Sequence, residues 1–340
     1  MSKEAERMKS LLVAAALCAS CAAPALAQEV VLKFATTNAP MHPLNKDFLT
    51  PWAERITAEG KGIVRIELSH GTTLADQVNF YSRVLNDVAQ ISVGLQTVIA
   101  GKFPQTEVVT LPALSQKGEE SSLALWRLYS TGRIAKEYAE VTPLALGVLP
   151  QLSIHSSKPL KSLDDVAGLK VRTGGNVASQ VVMALGGTPV SVPLTESYQA
   201  LAKGTIDAVQ VQWTGVFPFK FNEVTSHHID AQLGSSALMV FMSKKTFDGL
   251  PASARALIQK HSGEAFAREF GAFWDRIQAS GRGAAVASGK HTITVVARGD
   301  MGKYGTALDA VAQKWVKDTP DGAAVLQAYR DELGKIGSGK

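Results

Sequence analysis

The hydrophobic pattern of the chain alternates between short strand-like runs and helix-like segments. Residues 30–35 form an apolar run typical of a strand. In residues 45–58 the large apolar side chains Phe48, Trp52 and Ile56 recur every four residues, which is the spacing of one helix face. The alternation continues with predicted strands at 63–68 and 88–93 and a predicted helix at 77–86. This order predicts a parallel sheet with crossover helices.

A second unit with the same alternation follows residue 150. Its predicted elements are strands at 170–172, 188–192 and 206–211 and helices at 176–185 and 195–203. From residue 252 onward the pattern is mainly helical, with one long segment through Phe266, Phe273 and Trp274 and two further helices near the C-terminus. The order predicts two α/β lobes with a cleft between them, an arrangement in which clefts commonly hold small molecules.

The first 27 residues have the three parts of a secretory signal peptide. A basic segment with Lys3 and Arg7 precedes an apolar run that is too short to span a bilayer. Ala25-Leu26-Ala27 then matches a cleavage site, so we expect the mature chain to start at Gln28 in the periplasm. An equally good leader would start at Met8.

Both cysteines, Cys18 and Cys21, lie within this leader. The mature chain would therefore have no disulfide, thiolate zinc site or cysteine nucleophile. Lys and Arg number 35 against 30 Asp and Glu, and this net charge of +5 is spread without a basic cluster. The distribution argues against a nucleic-acid partner. No apolar run reaches about 20 residues, so we expect no membrane-embedded segment.

Arg172 is the main candidate for ligand binding. It ends a predicted strand in the run Gly168-Leu169-Lys170-Val171-Arg172-Thr173-Gly174-Gly175-Asn176, before a predicted helix. In α/β sheets ligands bind beyond the carboxyl ends of strands, and a guanidinium there can hold a carboxylate through two parallel hydrogen bonds. The free N–H groups of the helix N-terminus favour an anion as well. The spacing is equally compatible with a surface ion pair between Arg172 and Asp164 or Asp165.

The other polar residues form no catalytic or metal-binding pattern. His227 and His228 are adjacent and would point to different faces of a helix or strand, and no HExxH or HxH spacing occurs. The chain also contains no Gly-x-Ser-x-Gly elbow and no P-loop. We therefore expect a binding protein without metal-ligating residues or a cofactor, not an enzyme; the sequence leaves open whether a metal ion accompanies the ligand.

Three positions near predicted strand ends are further candidates for the cleft. His42 lies in the loop after the first strand and could face a cleft or solvent. Asp76-Gln77 offers a carboxylate and an amide in a strand-to-helix loop, where Asp76 could instead cap the helix. Trp213 follows the strand at 206–211 and could form an apolar wall opposite Arg172 or pack within its lobe.

Eight short segments, taken in order, resemble the solute-binding proteins of TRAP transporters (tripartite ATP-independent periplasmic transporters), the DctP-type family. They are Leu-Lys-Phe at 32–34, Thr-Thr-Leu-Ala-Asp at 72–76, Phe-Pro-Gln-Thr-Glu-Val at 103–108, Leu-Asp-Asp at 163–165, Gly-Leu-Lys-Val-Arg at 168–172, Gly-Thr-Pro-Val at 187–190, Tyr-Gln-Ala-Leu at 198–201 and Gly-Thr-Ile-Asp at 204–207. The resemblance implies an α/β, two-lobed periplasmic binding protein with a parallel-rich mixed sheet in each lobe, a ligand cleft between them and a helical C-terminal region.

The resemblance also implies domain limits and a transport role. The first lobe would take residues 28–150 and be completed by about 240–280, and the second would take 151–239 and be completed by about 281–340. Arg172 would match the arginine that clamps the ligand carboxylate. The bound acid would pass to the membrane permease subunits of a TRAP transporter.

Three departures from the family pattern narrow the expected ligand. Pro150-Gln151 stands where many members carry a second cleft arginine, and Gln90 replaces an acidic residue of the first lobe. Asp207 is followed by a mainly apolar run that ends in Gln212 and Trp213. Because a second buried carboxylate would lack a cationic partner, we expect a monocarboxylate, such as a 2-oxo, 2-hydroxy or aromatic acid.

Seven side chains make up the predicted ligand site. They are Arg172 as clamp, Gln151 and Gln212 as secondary donors, Trp213 as the apolar wall, Asp76 or Gln77 as a first-lobe contact, and His42. A binding protein for a sensor or an ABC importer is the alternative within the same class. A periplasmic hydrolase or lyase is the alternative from another class.

Overall fold

Eleven strands and eleven α-helices lie in the part of the chain that the computed structural model describes, residues 29–114 and 117–339. The strands are β1 (Val30–Thr36), β2 (Val64–His70), β3 (Ile91–Leu95), β4 (Val141–Leu149), β5 (Ser153–Ser156), β6 (Lys170–Thr173), β7 (Thr188–Ser191), β8 (Ala208–Val211), β9 (His227–Asp230), β10 (Ser236–Ser243) and β11 (Thr292–Val295). The predicted signal peptide and both cysteines lie outside the described residues.

The helices alternate with these strands up to β10 and dominate the rest of the chain. They are α1 (Thr50–Glu59), α2 (Phe80–Leu85), α3 (Gly118–Ser130), α4 (Asn176–Ala184), α5 (Ser197–Ala202), α6 (Trp213–Val216), α7 (Lys244–Gly249), α8 (Ala252–Lys260), α9 (Glu264–Ser288), α10 (Lys303–Asp318) and α11 (Gly322–Gly337). The helical C-terminal region predicted from the sequence is confirmed. No helix in the described ranges combines the length and the apolar character needed to cross a membrane.

The strands form two mixed sheets. The first has the order β2-β1-β3-β10-β4, with β1 parallel to β2 and β3 and with β10 antiparallel to β3 and β4. The second has the order β11-β9-β5-β8-β6-β7, with β6 parallel to β7 and β8 and with β5 antiparallel to β8 and β9. The predicted α/β fold with a mixed sheet in each half is therefore confirmed. The lobe limits themselves stay a prediction, although β10 belongs to the first sheet from Ser236 onward.

Aromatic side chains fix α9 against the first sheet. Trp52 of α1 stacks on Phe266 of α9 with ring centroids 5.0 Å apart, and Phe34 of β1 packs edge-on against Trp52. Phe48 stacks on Phe266 and on Phe270 in the same cluster. The four-residue spacing that predicted a helix is thus the buried face of that segment. It begins as a π-helical turn, Asn45–Leu49, and continues as α1.

Helix α9 continues from this cluster to the second sheet. Its 25 residues begin in the aromatic core, and Ala285 near its end packs in the hydrophobic cluster around Val209 and Trp213. The close approach needs glycine at 281, because a Cβ there would lie 2.6 Å from the carbonyl oxygen of Trp213. Beyond α9, α10 packs on α4 and α11 packs on α3. The long helix therefore spans both halves beside the cleft.

Candidate functional site

Arg172 lies at the carboxyl end of β6, where its side chain is 8% exposed. Its Nε donates a hydrogen bond to the carbonyl oxygen of Val192 at 2.9 Å, which fixes the plane of the guanidinium. Burial lowers the pKa of Arg172 to about 10, so the group stays charged at neutral pH. Among residues 29–114 and 117–339, no acidic side chain forms an ion pair with it. A buried cation without a counter-ion needs an anion from elsewhere.

The alternative of a surface ion pair for Arg172 is wrong. Asp164 pairs instead with the ammonium of Lys303 at 2.8 Å. Asp165 accepts hydrogen bonds from the backbone N–H groups of Lys161 and Ser162, at 2.6 and 2.9 Å, and completes a capping box. Both carboxylates are thus already engaged away from Arg172.

A small cavity of about 50 Å³ opens in front of Arg172. Polar residues from both halves of the chain line it, including Gln77, Thr97, Glu107, Asn176, Gln210 and Gln212. Gly174 and Gly175 bring the loop close to the guanidinium, since a Cβ on Gly174 would lie 3.3 Å from Nη1 of Arg172. The N-terminus of α4 begins beside this loop. The cavity therefore combines a fixed cation with free backbone donors, the two features of an anion site.

A second cavity, of about 100 Å³, shares a wall with the first and is mainly apolar. The side chains common to both are Gln77, Leu95, Val98, Leu194, Val211 and Gln212. The rest of the apolar cavity includes Phe80, Phe219, Leu238 and Trp274. Within the described chain, Arg172 is the one Lys or Arg that lines either cavity. The arrangement suits a ligand with one anionic end and an apolar body.

His42 lines the apolar cavity as a neutral side chain. Burial lowers its pKa to about 4, so the imidazole carries no charge at neutral pH. Its Nδ1 accepts a hydrogen bond from the backbone N–H of Leu44 at 3.2 Å, and its ring centroid lies 6.4 Å from that of Phe219. The apolar cavity therefore has no second cation.

Two of the predicted contacts, Gln77 and Gln212, lie where both cavities meet. Gln212 is buried, and its Nε2 donates to the hydroxyl of Ser236 at 3.0 Å. Asp76, next to Gln77, lines neither cavity. Its carboxylate accepts hydrogen bonds from the backbone N–H groups of Val78 and Asn79, at 2.8 and 2.9 Å, and therefore orders the start of α2. Of this adjacent pair, the structure brings only Gln77 to the cleft.

Gln151 lies between β4 and β5, where it does not line either cavity. Its Oε1 accepts from the backbone N–H of Gly234, and its carbonyl oxygen accepts from Nε2 of Gln278, both at 3.2 Å. These contacts tie the strand crossing to α9. The geometry connects Gln151 with the junction of the two sheets, not with the space in front of Arg172.

Trp213 lines neither of these two cavities. Its Nε1 donates to Oδ1 of Asp230 at 2.7 Å, and its ring packs against His155 and His228, each with centroids 4.7 Å from the indole. The ring also lines a third, outer cavity with Met41, which shares His42 with the apolar cavity. The predicted place of Trp213 opposite Arg172 thus differs from the observed one, because α6 turns its first residue into the interior of the second half.

Sequence reasoning missed several residues that line the cavities, among them Thr97, Glu107, Gln210 and Trp274. Gln210 is 1% exposed, and both of its amide atoms lack a hydrogen-bond partner in the described chain. It is the single polar side chain in the strand β8, and that exception was a usable signal. Burial raises the pKa of Glu107, and the nearby charge of Glu137 raises it further. In residues 29–114 and 117–339, no group of three or more His, Cys, Asp or Glu side chains has an arrangement that could hold a metal ion.

Comparison with known proteins identifies the family. The model of bacterial extracellular solute-binding protein family 7, DctP, matches residues 34–314. The C4-dicarboxylate-binding periplasmic protein DctP of Rhodobacter capsulatus is 28% identical over 268 residues, which are 75% of this chain and 77% of that protein.

Solved structures of TRAP solute-binding proteins share the fold. One from Rhodoferax ferrireducens, in complex with copurified benzoate, is 28% identical with a TM-score of 0.85, and the match covers 91% of this chain and 99% of that one. A marine metagenome protein described as specific for aromatic acid ligands, with 3-hydroxybenzoate, is 27% identical with the same TM-score and coverage. The chain therefore belongs to family 7 of the bacterial extracellular solute-binding proteins, as an extracytoplasmic binding protein of the TRAP type and not an enzyme.

Proposed function

We propose that this protein captures a small monocarboxylate with an apolar body and delivers it to a TRAP membrane permease. The observation that carries the proposal is the charged, buried guanidinium of Arg172, which has no acidic partner in the described chain and faces a cavity that adjoins an apolar one. A ligand carboxylate would neutralise the guanidinium, and the apolar body would occupy the neighbouring cavity.

The hydrogen bond from Nε of Arg172 to Val192 determines which donors are left for a ligand. Nη1 and Nη2 remain, and together they form a planar pair that matches two carboxylate oxygens. Because the plane is already fixed, little side-chain entropy is lost on binding. A lysine at this position would offer one ammonium group without that planar geometry.

Charge and volume both support a compact monocarboxylate. A second carboxylate would enter the apolar cavity beside neutral His42 and would meet no further Lys or Arg side chain of the described residues. The two cavities, of about 100 and about 50 Å³, together have the size of a void that takes up benzene. Two similar TRAP proteins were crystallised with benzoate and 3-hydroxybenzoate, while the Rhodobacter capsulatus relative is named for C4-dicarboxylates. Cavity chemistry favours the first kind of ligand.

Calorimetric titration of the purified protein with benzoate, lactate, pyruvate, succinate and malate tests this proposal. We expect at least one monocarboxylate to bind more tightly than both dicarboxylates. Arg172→Lys should weaken that binding on the order of 100-fold, because one hydrogen bond of the bidentate pair is lost in a dry site. The matched control is Arg282→Lys, since Arg282 pairs with Asp230 outside both cavities.

Two outcomes would contradict the proposal. One is tighter binding of succinate or malate than of any monocarboxylate, and the other is full affinity in Arg172→Lys. Uptake of the bound acid by membrane vesicles that contain the large and small permease subunits would test delivery. Uptake that depends instead on an ATP-driven importer would show that the protein serves an ABC importer and not a TRAP permease.

A further inference from the structure

Trp274 of α9 lines the apolar cavity with an unpartnered hydrogen-bond donor. The side chain is 5% exposed, and its Nε1 is buried without an acceptor in the described residues. Its ring is held by Phe270 and Phe273, with centroids 6.1 and 5.0 Å away. The packing fixes the orientation of the indole, which forms part of the cavity wall, with its N–H buried behind that surface.

The other buried tryptophans show that this protein normally pairs its indole N–H groups. Nε1 of Trp52 donates to the carbonyl oxygen of His261 at 2.8 Å. Nε1 of Trp213 donates to Asp230 at 2.7 Å, and Nε1 of Trp315 donates to the carbonyl oxygen of Pro104 at 3.1 Å. A buried donor without an acceptor is costly. Among the buried tryptophans of residues 29–114 and 117–339, Trp274 alone carries that cost, and it is the one that lines the apolar cavity.

His42 adds a second donor to the same cavity. Its Nδ1 accepts from Leu44, so the neutral ring carries its proton on Nε2. The amide of Gln212 at the junction already donates to Ser236. Neutral donors therefore belong to residues in the wall of the apolar cavity, and no Asp or Glu of the described residues lines it.

We propose that the ligand carries a neutral oxygen, a hydroxyl or a carbonyl, at the end remote from its carboxylate, and that Nε1 of Trp274 donates a hydrogen bond to this oxygen. This inference rests on the proposed function, because it assumes that Arg172 holds the carboxylate. It narrows the ligand class from an apolar monocarboxylate to one with a polar oxygen on the far side of its apolar body, such as a hydroxybenzoate. Trp274 is then a residue that determines specificity.

Hydroxyl and methyl substituents have similar sizes, so a comparison of hydroxy and methyl acids distinguishes the effect of a hydrogen bond on affinity from the effect of ligand shape. We would titrate the wild-type protein with 3- and 4-hydroxybenzoate and with 3- and 4-methylbenzoate. At least one hydroxy acid should bind about 10-fold more tightly than its methyl counterpart, as expected for one buried hydrogen bond. Trp274→Phe keeps an aromatic ring and removes the donor, so it should reduce that preference to about 2-fold or less. Trp213→Phe is the matched control and should leave the preference unchanged.

A second measurement avoids reliance on a variant that could misfold. In the wild-type protein labelled with ¹⁵N at the indole nitrogens, the Nε1–H resonance of Trp274 should shift downfield with the hydroxy acid and stay in place with the methyl acid. Equal affinities for both pairs of acids, or a preference that persists in Trp274→Phe, would overturn the inference. If these acids bind and the binding requires Arg172, the proposed function survives that failure. If binding is independent of Arg172, the proposed function itself fails.

Discussion

Two buried polar regions lie at opposite sides of β8, and they differ in how their hydrogen bonds are completed. The histidine cluster, formed by His155, His228 and His291, packs against Trp213, and hydrogen bonds link its three rings to one another and to the carbonyl oxygen of Val211. The walls of the two cavities near Arg172 include the guanidinium of Arg172, the amide of Gln210 and the indole of Trp274, which lack partners within the described residues for some of their polar atoms. A buried polar group thus indicates a binding site only when the protein itself leaves it incomplete.

The histidine cluster has one consistent pattern of protons. Nε2 of His155 lies 3.0 Å from the carbonyl oxygen of Val211, an acceptor, so this nitrogen carries the proton. Its Nδ1 then accepts from Nδ1 of His228 at 2.8 Å, and Nε2 of His228 accepts from Nδ1 of His291 at 2.9 Å. The rings of His155, His228 and His291 are neutral at pH 7, because burial lowers the pKa of each. The cluster therefore stabilises the second half without requiring an external partner.

The largest difference between the two regions should appear at acid pH. Burial lowers the pKa of His155 to about 4, and burial together with the neighbouring histidines lowers that of His228 to about 2. In the unfolded chain the histidine side chains titrate near pH 6.5. Below that pH the unfolded state therefore binds protons that the folded cluster does not bind. Stability contributed by the cluster is then present above about pH 6.5 and is lost as the pH falls. From pH 7 to 5 we expect a loss of roughly 3 kcal/mol from the cluster.

Urea unfolding between pH 5 and 7 would measure this loss. Buried carboxyls such as Glu107 and Glu137, whose pKa values are raised, act in the opposite direction. The prediction therefore compares wild type with the double variant His155→Phe with His228→Leu. The unfolding free energy of the double variant should depend less steeply on pH than that of the wild type. An unchanged pH dependence in the double variant would contradict the neutral cluster. Affinity for the carboxylate ligand at pH 7 should be the same in both proteins.

Trp213 and Trp274 give the most direct comparison of a completed and an incomplete donor. Trp213→Phe removes the hydrogen bond to the carboxylate of Asp230, which keeps Ser153 and Arg282 as partners. We expect unfolding free energy to fall by about 2 kcal/mol, the usual range for a hydrogen bond to a charged group, with ligand affinity unchanged. Trp274→Phe loses no hydrogen bond of the protein and should change stability less. Chemical unfolding and calorimetry on both variants test this, and a reversed order of stabilities would refute the distinction.

The fold was largely predictable where the hydrophobic pattern alternates clearly. Predicted strands and helices in 30–93 and 170–211 correspond to β1–β3 and to β6–β8 with α4 and α5. The antiparallel strands β4 and β10 were not predicted, because a continuous buried run such as that of β10 has no period that separates strand from helix. Their pairing joins residues about a hundred positions apart, which local pattern cannot reveal. The predicted strand at 88–93 begins only at Ile91, since Asp87 adopts a left-handed φ of 59°.

The candidate site was predictable in part, for a similar physical reason. The strand-end rule indicated Arg172, and the structure places it in a cavity with Gln77 and Gln212. The same rule indicated Trp213, one residue beyond Gln212, but a strand end does not tell which way the next side chain turns. Trp274 lay in a periodic apolar helix and read as core. That its N–H lacks an acceptor can be recognised only from the three-dimensional structure, which shows where all possible acceptors lie.

Asp76 and Gln77 extend the comparison to two adjacent residues, with the smallest expected effects. Asp76→Ala removes the carboxylate that accepts from the backbone N–H groups of Val78 and Asn79. This loss should cost about 1 kcal/mol of unfolding free energy, as for other helix caps, and leave affinity within about 2-fold. Gln77→Ala should instead reduce ligand affinity and change the unfolding free energy little, because Gln77 lines both cavities. Thermal unfolding and ligand titration of the two variants measure both effects. A large affinity loss in Asp76→Ala would mean that a residue whose hydrogen bonds are completed within the protein still contacts the ligand. The lack of a hydrogen-bond partner would then no longer distinguish ligand-binding residues from structural ones.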